Sequence, residues 1–154
     1  MRIERVWAMP SSRTFSIKPI AELLKEEASI GHWLDPFPYP FKEDAKEFLK
    51  KYGCEEVDGV LFDPPYSPRQ LKECYDSLGQ SLHDTKSSVW SEWKDETSRV
   101  IKVGGKCISF GWSSQGMGKN RGFEITRILL VPHGGMHNDT ICVVETKVRG
   151  VDKK

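Results

Sequence analysis

A short apolar run that ends in an acid and two prolines constrains the fold of this chain more than any other stretch. Residues 60–62 (Val-Leu-Phe) lead directly into Asp63-Pro64-Pro65-Tyr66. The apolar run predicts a buried strand. The strand must stop at the prolines, because proline cannot donate a hydrogen bond to a sheet ladder. We therefore expect Asp63 and Tyr66 to lie at the carboxyl edge of a sheet, where open α/β folds bind their ligands.

This tetrapeptide contains the groups needed to hold a planar amino group. The carboxylate of Asp63 and the main-chain carbonyl of Pro64 can together accept both N–H bonds of an NH2 group. Tyr66 offers a flat face on which a ring can stack. An exocyclic amine on a heterocyclic base fits such a site, with its lone pair available for attack. The same residues are equally consistent with a polar Pro-Pro turn that ends a strand, since short motifs are weak evidence.

The tetrapeptide at 63–66 resembles the catalytic motif of S-adenosylmethionine-dependent DNA amino-methyltransferases, in the form typical of adenine-N6 enzymes. The residues at 67–70 (Ser-Pro-Arg-Gln) and the strand entry at 104–106 (Gly-Gly-Lys) are also similar to phage and prokaryotic adenine methylases, such as those of restriction-modification systems. The resemblance implies a Rossmann-like methyltransferase fold, S-adenosylmethionine as cofactor and DNA as substrate. It implies catalytic roles for Asp63, Pro64, Pro65 and Tyr66.

Segments before the central strand match positions that hold the cofactor in this family. The resemblance implies that one segment contacts the methionine end of the cofactor, while an Asp-Pro-Phe turn and an acid at the next helix contact the rest. The matching residues are Phe15, Ile17, Lys18, Asp35, Pro36, Phe37 and Asp44. Phe15 and Ile17 are equally consistent with core packing. Asp44 is at least as consistent with a favourable charge at a helix N-terminus.

The loop after residue 37 departs from the family pattern. Residues 38–41 are Pro-Tyr-Pro-Phe, so the glycines that would let the backbone approach a ligand closely are absent. An aromatic ring here could stack on the cofactor adenine or fill its pocket instead. Only 28 positions separate Asp35 from Asp63, whereas each strand–helix–strand unit needs about 30 residues. We therefore expect a truncated sheet with the strand at 30–34 at or near its edge.

Hydrophobic periodicity predicts the other elements. Helices are expected over about 19–28, 42–52, 68–82 and 89–102, and Gly104 and Gly105 are expected to end the last of these. Strands are expected over 3–8, 106–112, 123–131 and 140–147. The last two strands form an antiparallel hairpin at the end of a mostly parallel sheet of about five strands, which gives an α/β fold class.

The residues at 113–122 predict a mobile, mildly basic loop, which follows the strand after the central one and should lie over the same sheet edge. Lys119 and Arg121 in this loop can meet nucleic-acid phosphates. The resemblance implies that Ser67 and Arg69 also lie near the target. A solvated surface loop is the alternative interpretation.

Bulk properties limit the class of protein. The chain has 154 residues and a formal net charge of +1. This length suits one domain over 1–154 without a separate target-recognition domain, and any DNA contact must come from local basic clusters. We expect a cytoplasmic protein, because no apolar run is as long as a membrane span or a signal peptide. The four cysteines form no Cys-x-x-Cys pair, and His133 and His137 lack a further ligand at suitable spacing, so no metal is expected.

These observations predict transfer of a methyl group from S-adenosylmethionine to the exocyclic amino group of adenine in DNA. One alternative is a catalytically impaired relative that acts as a nucleic-acid-binding or oligomerising module, because the cofactor region is shortened. Another keeps catalysis but shifts the substrate to RNA or to the cytosine-N4 amine. An exposed edge strand would also favour a homodimer.

Overall fold

One sheet of six strands organises the residues described by the computed structural model, which are 1–11, 13–38, 43–65, 86–135 and 137–150. The strands are β1 (Arg2–Arg5), β2 (Trp33–Leu34), β3 (Val57–Phe62), β4 (Ile101–Gly111), β5 (Phe123–Val131) and β6 (Thr140–Lys147). Their spatial order is β1-β5-β6-β4-β3-β2. Strands β2, β3 and β4 run parallel, as do β1 and β5, whereas β6 is antiparallel to both of its neighbours. The predicted α/β class, with a mostly parallel sheet ending in an antiparallel hairpin, is confirmed.

The two edge strands, β2 and β1, show how the sheet compares with the predicted one. β2 lies at one edge beside β3, as the short spacing between Asp35 and Asp63 predicted. β1 lies at the other edge, parallel to β5. This pairing brings the sheet to six strands rather than about five, and it joins segments far apart in the sequence.

Alternation along the strands divides the core into two clusters. Within the described residues, three α-helices cover the sheet: α1 (Lys18–Glu27), α2 (Ala45–Leu49) and α3 (Lys86–Val100). Val60 and Phe62 of β3 belong to the cluster under α2 and α3, whereas Leu61 packs against the cluster under α1. We call these sides the α3 face and the α1 face. Both faces are covered, as parallel strands require.

The observed helices differ from those predicted from the sequence in their first and last residues. The helix predicted over 19–28 is α1, and the one predicted over 42–52 is the shorter α2. The helix predicted over 68–82 lies outside the described residues. No helix in the described part of the chain has the length and apolar character that a membrane span requires.

The end of α3 corrects the prediction of a helix to 102 terminated by Gly104 and Gly105. β4 already begins at Ile101, and its pairing with β3 shifts register between residues 101 and 106. Gly104 has a φ of 89°, in the left-handed region that favours glycine. The glycine pair therefore allows an irregularity inside a strand instead of ending a helix.

A buried lysine from β6 explains why α3 stops where it does. Lys147 is 1% exposed, and its ammonium donates to the carbonyls of Ser98 and Ile101, each at 2.7 Å. These carbonyls lie at the C-terminal end of α3, where a positive charge is favourable. Burial lowers the pKa of Lys147, and the two carbonyls satisfy two of the three ammonium donors that burial removes from water.

Candidate active site

Asp63 and Pro64 lie directly after β3, at the carboxyl edge of the sheet. β3 ends at Phe62, and both of its neighbours run parallel to it. The carboxyl ends of the three strands therefore meet at one edge, where Asp35 follows β2 and the loop at 112–118 follows β4. The structure thus brings together two of the acids that the sequence singled out.

Asp63 extends toward the α1 face. Leu61 packs on that face and Phe62 on the opposite one, and side chains alternate along a strand. Burial raises the pKa of the Cys142 thiol to about 12, and the negative charge of Asp63 adds to that shift. Because Cys142 belongs to the α1-face cluster, this electrostatic contact agrees with the alternation.

Of the three residues matched to the methionine end of a cofactor, Phe15 approaches this edge. Its ring contacts the ring of Phe110 near the end of β4, with centroids 5.1 Å apart. Ile17 is buried in the α1-face cluster, and Lys18 is exposed at the first position of α1. Phe15 therefore lies beside the site, while Ile17 packs in the core.

The turn after β2 holds a half-buried acid. The Oδ1 atom of Asp35 accepts a hydrogen bond from the main-chain N–H of Phe37 at 3.1 Å, across the buried Pro36. Burial raises the pKa of Asp35, and the Phe37 hydrogen bond only partly offsets this. A carboxylate in such a position gains from a nearby positive charge.

Two other residues matched to the cofactor have structural contacts. Phe37 is 7% exposed, and its ring packs edge-on against Phe62 at 5.2 Å and Trp93 at 5.0 Å between centroids. Asp44 is the N-cap of α2, accepting from the N–H of Lys46 at 2.6 Å, and it also accepts from the indole N–H of Trp93 at 3.3 Å. Phe37 thus occupies the α3-face core rather than an open platform, and Asp44 stabilises a helix start.

A cleft of about 190 Å³ opens beside Pro64, between the ends of β3 and β4 and helix α3. Four aromatic side chains line it, together with one cation and two hydroxyls. The lining residues that matter here are Phe62, Pro64, Trp90, Lys94, Ser109, Phe110, Trp112 and Ser113. A planar ring fits walls of this kind, because flat aromatic surfaces stack.

The sequence patterns did not identify two cleft residues, Trp90 and Lys94, as site residues. Trp93 is buried in the core, but Trp90 is half-buried and lines the cleft. Trp90 and Lys94 are four positions apart in one helix, and this spacing places side chains on the same face. The pattern was visible in the sequence, but its direction toward the strand ends was not.

A buried acid from β6 anchors the loop that borders the cleft. Glu145 is 0% exposed, and its carboxylate accepts from the N–H groups of Met117 at 2.7 Å and Gly118 at 3.0 Å. Gly116 has a φ of 57°, and a Cβ there would lie 2.1 Å from the Glu145 carboxylate. Burial raises the pKa of Glu145, and the two N–H donors partly offset the shift. The sequence prediction of a mobile loop therefore needs correction at 116–118, where these bonds fix the backbone.

The two basic residues predicted to meet phosphates differ in their surroundings. Arg121 donates to the carboxylate of Asp95 at 2.9 Å and to the hydroxyl of Ser91 at 3.3 Å, both on α3. Lys119 is exposed. Arg121 therefore ties the loop to α3, while Lys119 is open to a ligand, and the nucleic-acid role of both residues stays a prediction.

Tyr66, Ser67 and Arg69 lie outside the described residues, as does Tyr39. Their predicted roles in stacking and in target contact stay predictions.

Of the two histidines considered as metal ligands, His133 has other partners. The Nδ1 atom of His133 lies 2.9 Å from the carbonyl of Ala8, and its Nε2 lies 2.8 Å from the hydroxyl of Thr140. A search of the described residues finds no cluster of three potential metal ligands.

We expect Glu145→Ala to destabilise the protein and loosen the loop at 113–118. The substitution leaves two main-chain N–H groups without their acceptor, at roughly 1–3 kcal/mol for each buried group. Urea denaturation measures the loss, and limited proteolysis reports cleavage in the loop. Glu124→Ala, at an exposed position of β5, is the matched control and should match the wild type. Equal stability and equal protease resistance for Glu145→Ala would show that the anchor is unimportant.

No family model matches the chain, and neither does any curated protein. Solved structures do resemble it. TTHA0409 from Thermus thermophilus, provisionally assigned as a DNA modification methylase, is 18% identical, with a TM-score of 0.48 over 80% of this chain and 57% of that one. The same protein complexed with S-adenosyl-L-methionine is 15% identical, with a TM-score of 0.48 over 80% and 56% of the two chains.

TrmN from Thermus thermophilus is 17% identical, with a TM-score of 0.45 over 69% of this chain and 27% of that one. The chain thus spans little more than half the length of TTHA0409 and about a quarter of TrmN. Identities and TM-scores of this size do not by themselves assign a family or an activity.

Proposed function

We propose that this chain transfers a methyl group from S-adenosylmethionine to the exocyclic amino group of a nucleic-acid base, with adenine-N6 in DNA as the first candidate. One observation carries the proposal. The Asp63-Pro64-Pro65 segment follows a strand whose two neighbours end at the same edge of the sheet. An acceptor pair at such an edge faces the crevice in which open α/β sheets bind ligands.

The described residues fit a cationic cofactor on the α1 face of this edge. When bound, S-adenosylmethionine supplies an electrophilic methyl group on a positively charged sulfur. Asp35 is a half-buried acid with a raised pKa, so a cation beside it would stabilise its charged form. Phe15 and Asp35 are the residues that would hold the cofactor, and Asp63 borders the same face.

The chain's own residues would orient the target amine. The carboxylate of Asp63 and the carbonyl of Pro64 accept the two N–H bonds, which directs the nitrogen lone pair away from them. Holding the amine in this way contributes to the rate chiefly through orientation. The base itself would leave its stack, as enzymes that modify bases require. It would lie across the strand ends, with its amine at Asp63 and its ring in the cleft beside Pro64.

A second candidate function has specific support from two of the cofactor positions. Phe37 packs in the core and Asp44 caps α2, and the sequence at 38–41 contains no glycine. These features would suit a relative that keeps the base-binding segment but no longer binds the cofactor, and that acts as a nucleic-acid-binding or oligomerising module.

Calorimetric titration with S-adenosylmethionine separates the two candidates. Methyl transfer requires saturable binding, and Asp35→Asn should weaken it roughly tenfold or more because a charge-assisted contact is lost. Asp139→Asn, which changes an exposed acid before β6, is the control. Incorporation of a tritiated methyl group into unmethylated DNA, and into RNA in parallel, then identifies the substrate. No heat at millimolar cofactor would contradict the proposal and favour the binding module.

A further inference from the structure

We propose that Lys94 is a specificity-determining residue of the cleft beside Pro64, donating a hydrogen bond to an acceptor atom on the ring of a planar heteroaromatic base. The site would then recognise two features of its ligand, an acceptor atom in the ring and the exocyclic amine. The identity of the ligand rests on the proposed function. The contact between Lys94 and the ring is tested by binding alone.

The position of Lys94 provides the first argument. It lies on α3 one turn after Trp90, and both residues line the cleft. The ammonium nitrogen is 6.0 Å from the centroid of the Trp90 ring. It therefore lies against an aromatic wall, where a ring stacked in the cleft would come within its reach.

The missing acceptor provides the second argument. Within the described residues, the Lys94 ammonium has no hydrogen-bond acceptor or ion-pair partner, only the Trp90 ring. Burial lowers its pKa, the positive charge of Arg121 lowers it further, and Glu145 and Cys107 only partly offset these effects. In contrast, the buried Lys147 has two carbonyl acceptors. A half-buried ammonium is costly without an acceptor, and a ligand in the cleft would supply one.

The chemistry of the walls indicates the class of ligand. A phosphate is held best by several converging donors and bidentate guanidinium groups, and the nearby Arg121 is already paired with Asp95. Aromatic faces favour a flat ring, since bases stack on them with little regard to sequence. An ammonium among such faces requires a ring nitrogen or a carbonyl oxygen as its acceptor.

Short abasic oligonucleotides that carry a single base test the contact through equilibrium binding. The base is adenine, 1-deazaadenine, 3-deazaadenine or 7-deazaadenine, in which a C–H replaces one ring nitrogen. We expect the wild type to bind one of the three analogues roughly tenfold or more weakly than adenine, because a hydrogen bond from a charged donor is lost. Lys94→Met should bind adenine as weakly as the wild type binds that analogue, and should not distinguish the four bases.

Two further variants control the result. Lys94→Arg keeps a cationic donor and should keep part of the discrimination. Lys102→Met removes a lysine that pairs with Asp58 near the N-terminal end of β3, far from the carboxyl ends of the strands. This variant should bind the oligonucleotides like the wild type. Thermal unfolding checks that each variant is folded. If Lys94→Met does not fold, Lys94→Gln, which keeps an uncharged donor, should lose most of the discrimination.

Three outcomes would overturn the proposal: no binding of any oligonucleotide, equal wild-type affinity for all four bases, or undiminished discrimination in the folded Lys94→Met or Lys94→Gln variant. If the protein transfers no methyl group but still distinguishes the four bases, the proposed function is refuted and the Lys94 contact remains supported.

Discussion

Asp63→Ala is expected to abolish methyl transfer while the protein still folds. The carboxylate would accept the target amine and fix the direction of its lone pair, and its removal leaves the amine unoriented. Loss of one preorganised polar group in an active site typically lowers the rate by about 10²–10³-fold. Asp63 follows the last residue of β3, so its removal leaves the ladder with β2 and β4 in place.

Incorporation of tritiated methyl groups into unmethylated DNA measures this effect, normalised to the folded fraction from thermal unfolding. Asp63→Asn is the stricter variant, because it keeps the shape of the side chain but replaces one acceptor oxygen with a donor. Asp58→Asn is the matched control, since Asp58 belongs to the same strand and pairs with Lys102 at the opposite edge. A folded Asp63→Ala protein with wild-type activity would remove Asp63 from the reaction, whatever the cofactor titration shows.

Local patterns in the sequence were sufficient to predict the centre of the fold. The strand before Asp63 and its termination follow from three apolar residues and two prolines, which act within a few positions. The edge position of β2 follows from counting, because Asp63 comes only 28 positions after Asp35, which leaves no room for another strand–helix–strand unit. Both inferences depend on short-range or purely topological constraints.

Contacts between distant segments could not be predicted in this way. Glu145 anchors the main chain of Met117, and Lys147 caps the helix that ends near Ser98. In the sequence, both are charged residues on either side of Thr146 near the end of a strand, and they resemble ordinary surface positions. Their burial depends on the loop and the helix that fold over β6, and no local signal specifies those positions.

The cofactor positions illustrate the limit of resemblance. Asp44 matched an acid that binds a cofactor, but its side chain caps α2. The helix-capping interpretation was available from the sequence, because an acid just before a helix favours the N-terminus. Phe37 likewise matched by type, whereas its ring completes an aromatic cluster with Trp93. A matched residue type does not determine whether the side chain faces a ligand or the core.

The largest effect on stability is expected from Arg127→Met. Arg127 lies on β5, is 5% exposed, and donates to Glu4 at 2.6 Å, Glu26 at 2.7 Å and Glu27 at 3.1 Å. One guanidinium thus joins β1, α1 and β5. Burial lowers the pKa of Arg127, but its hydrogen bonds to the three glutamates outweigh this and raise it overall. Removing the guanidinium takes a charged donor from the half-buried Glu4 and Glu27, whereas the exposed Glu26 can turn to water. Hydrogen bonds to charged groups contribute about 1.5–3 kcal/mol each, so we expect a loss of about 3 kcal/mol.

Urea denaturation at neutral pH should show this loss for Arg127→Met and a smaller one for Arg127→Lys, whose ammonium lacks the planar fork of donors. Arg5→Met, at an exposed position of β1, should match the wild type.

The pKa of Glu27 is lowered because hydrogen bonds from Lys106 and Arg127 outweigh the effect of burial, and Arg127 also lowers the pKa of Glu4. A carboxylate whose pKa is lowered in the folded state stabilises the protein when the pH is above its ordinary pKa of 4.5. This stabilisation is lost as the pH falls through the lowered pKa and the carboxylate is protonated. The difference between wild type and Arg127→Met should therefore narrow as the pH is reduced from 7 toward 2, and a difference that is absent at pH 7 or constant with pH would contradict this role.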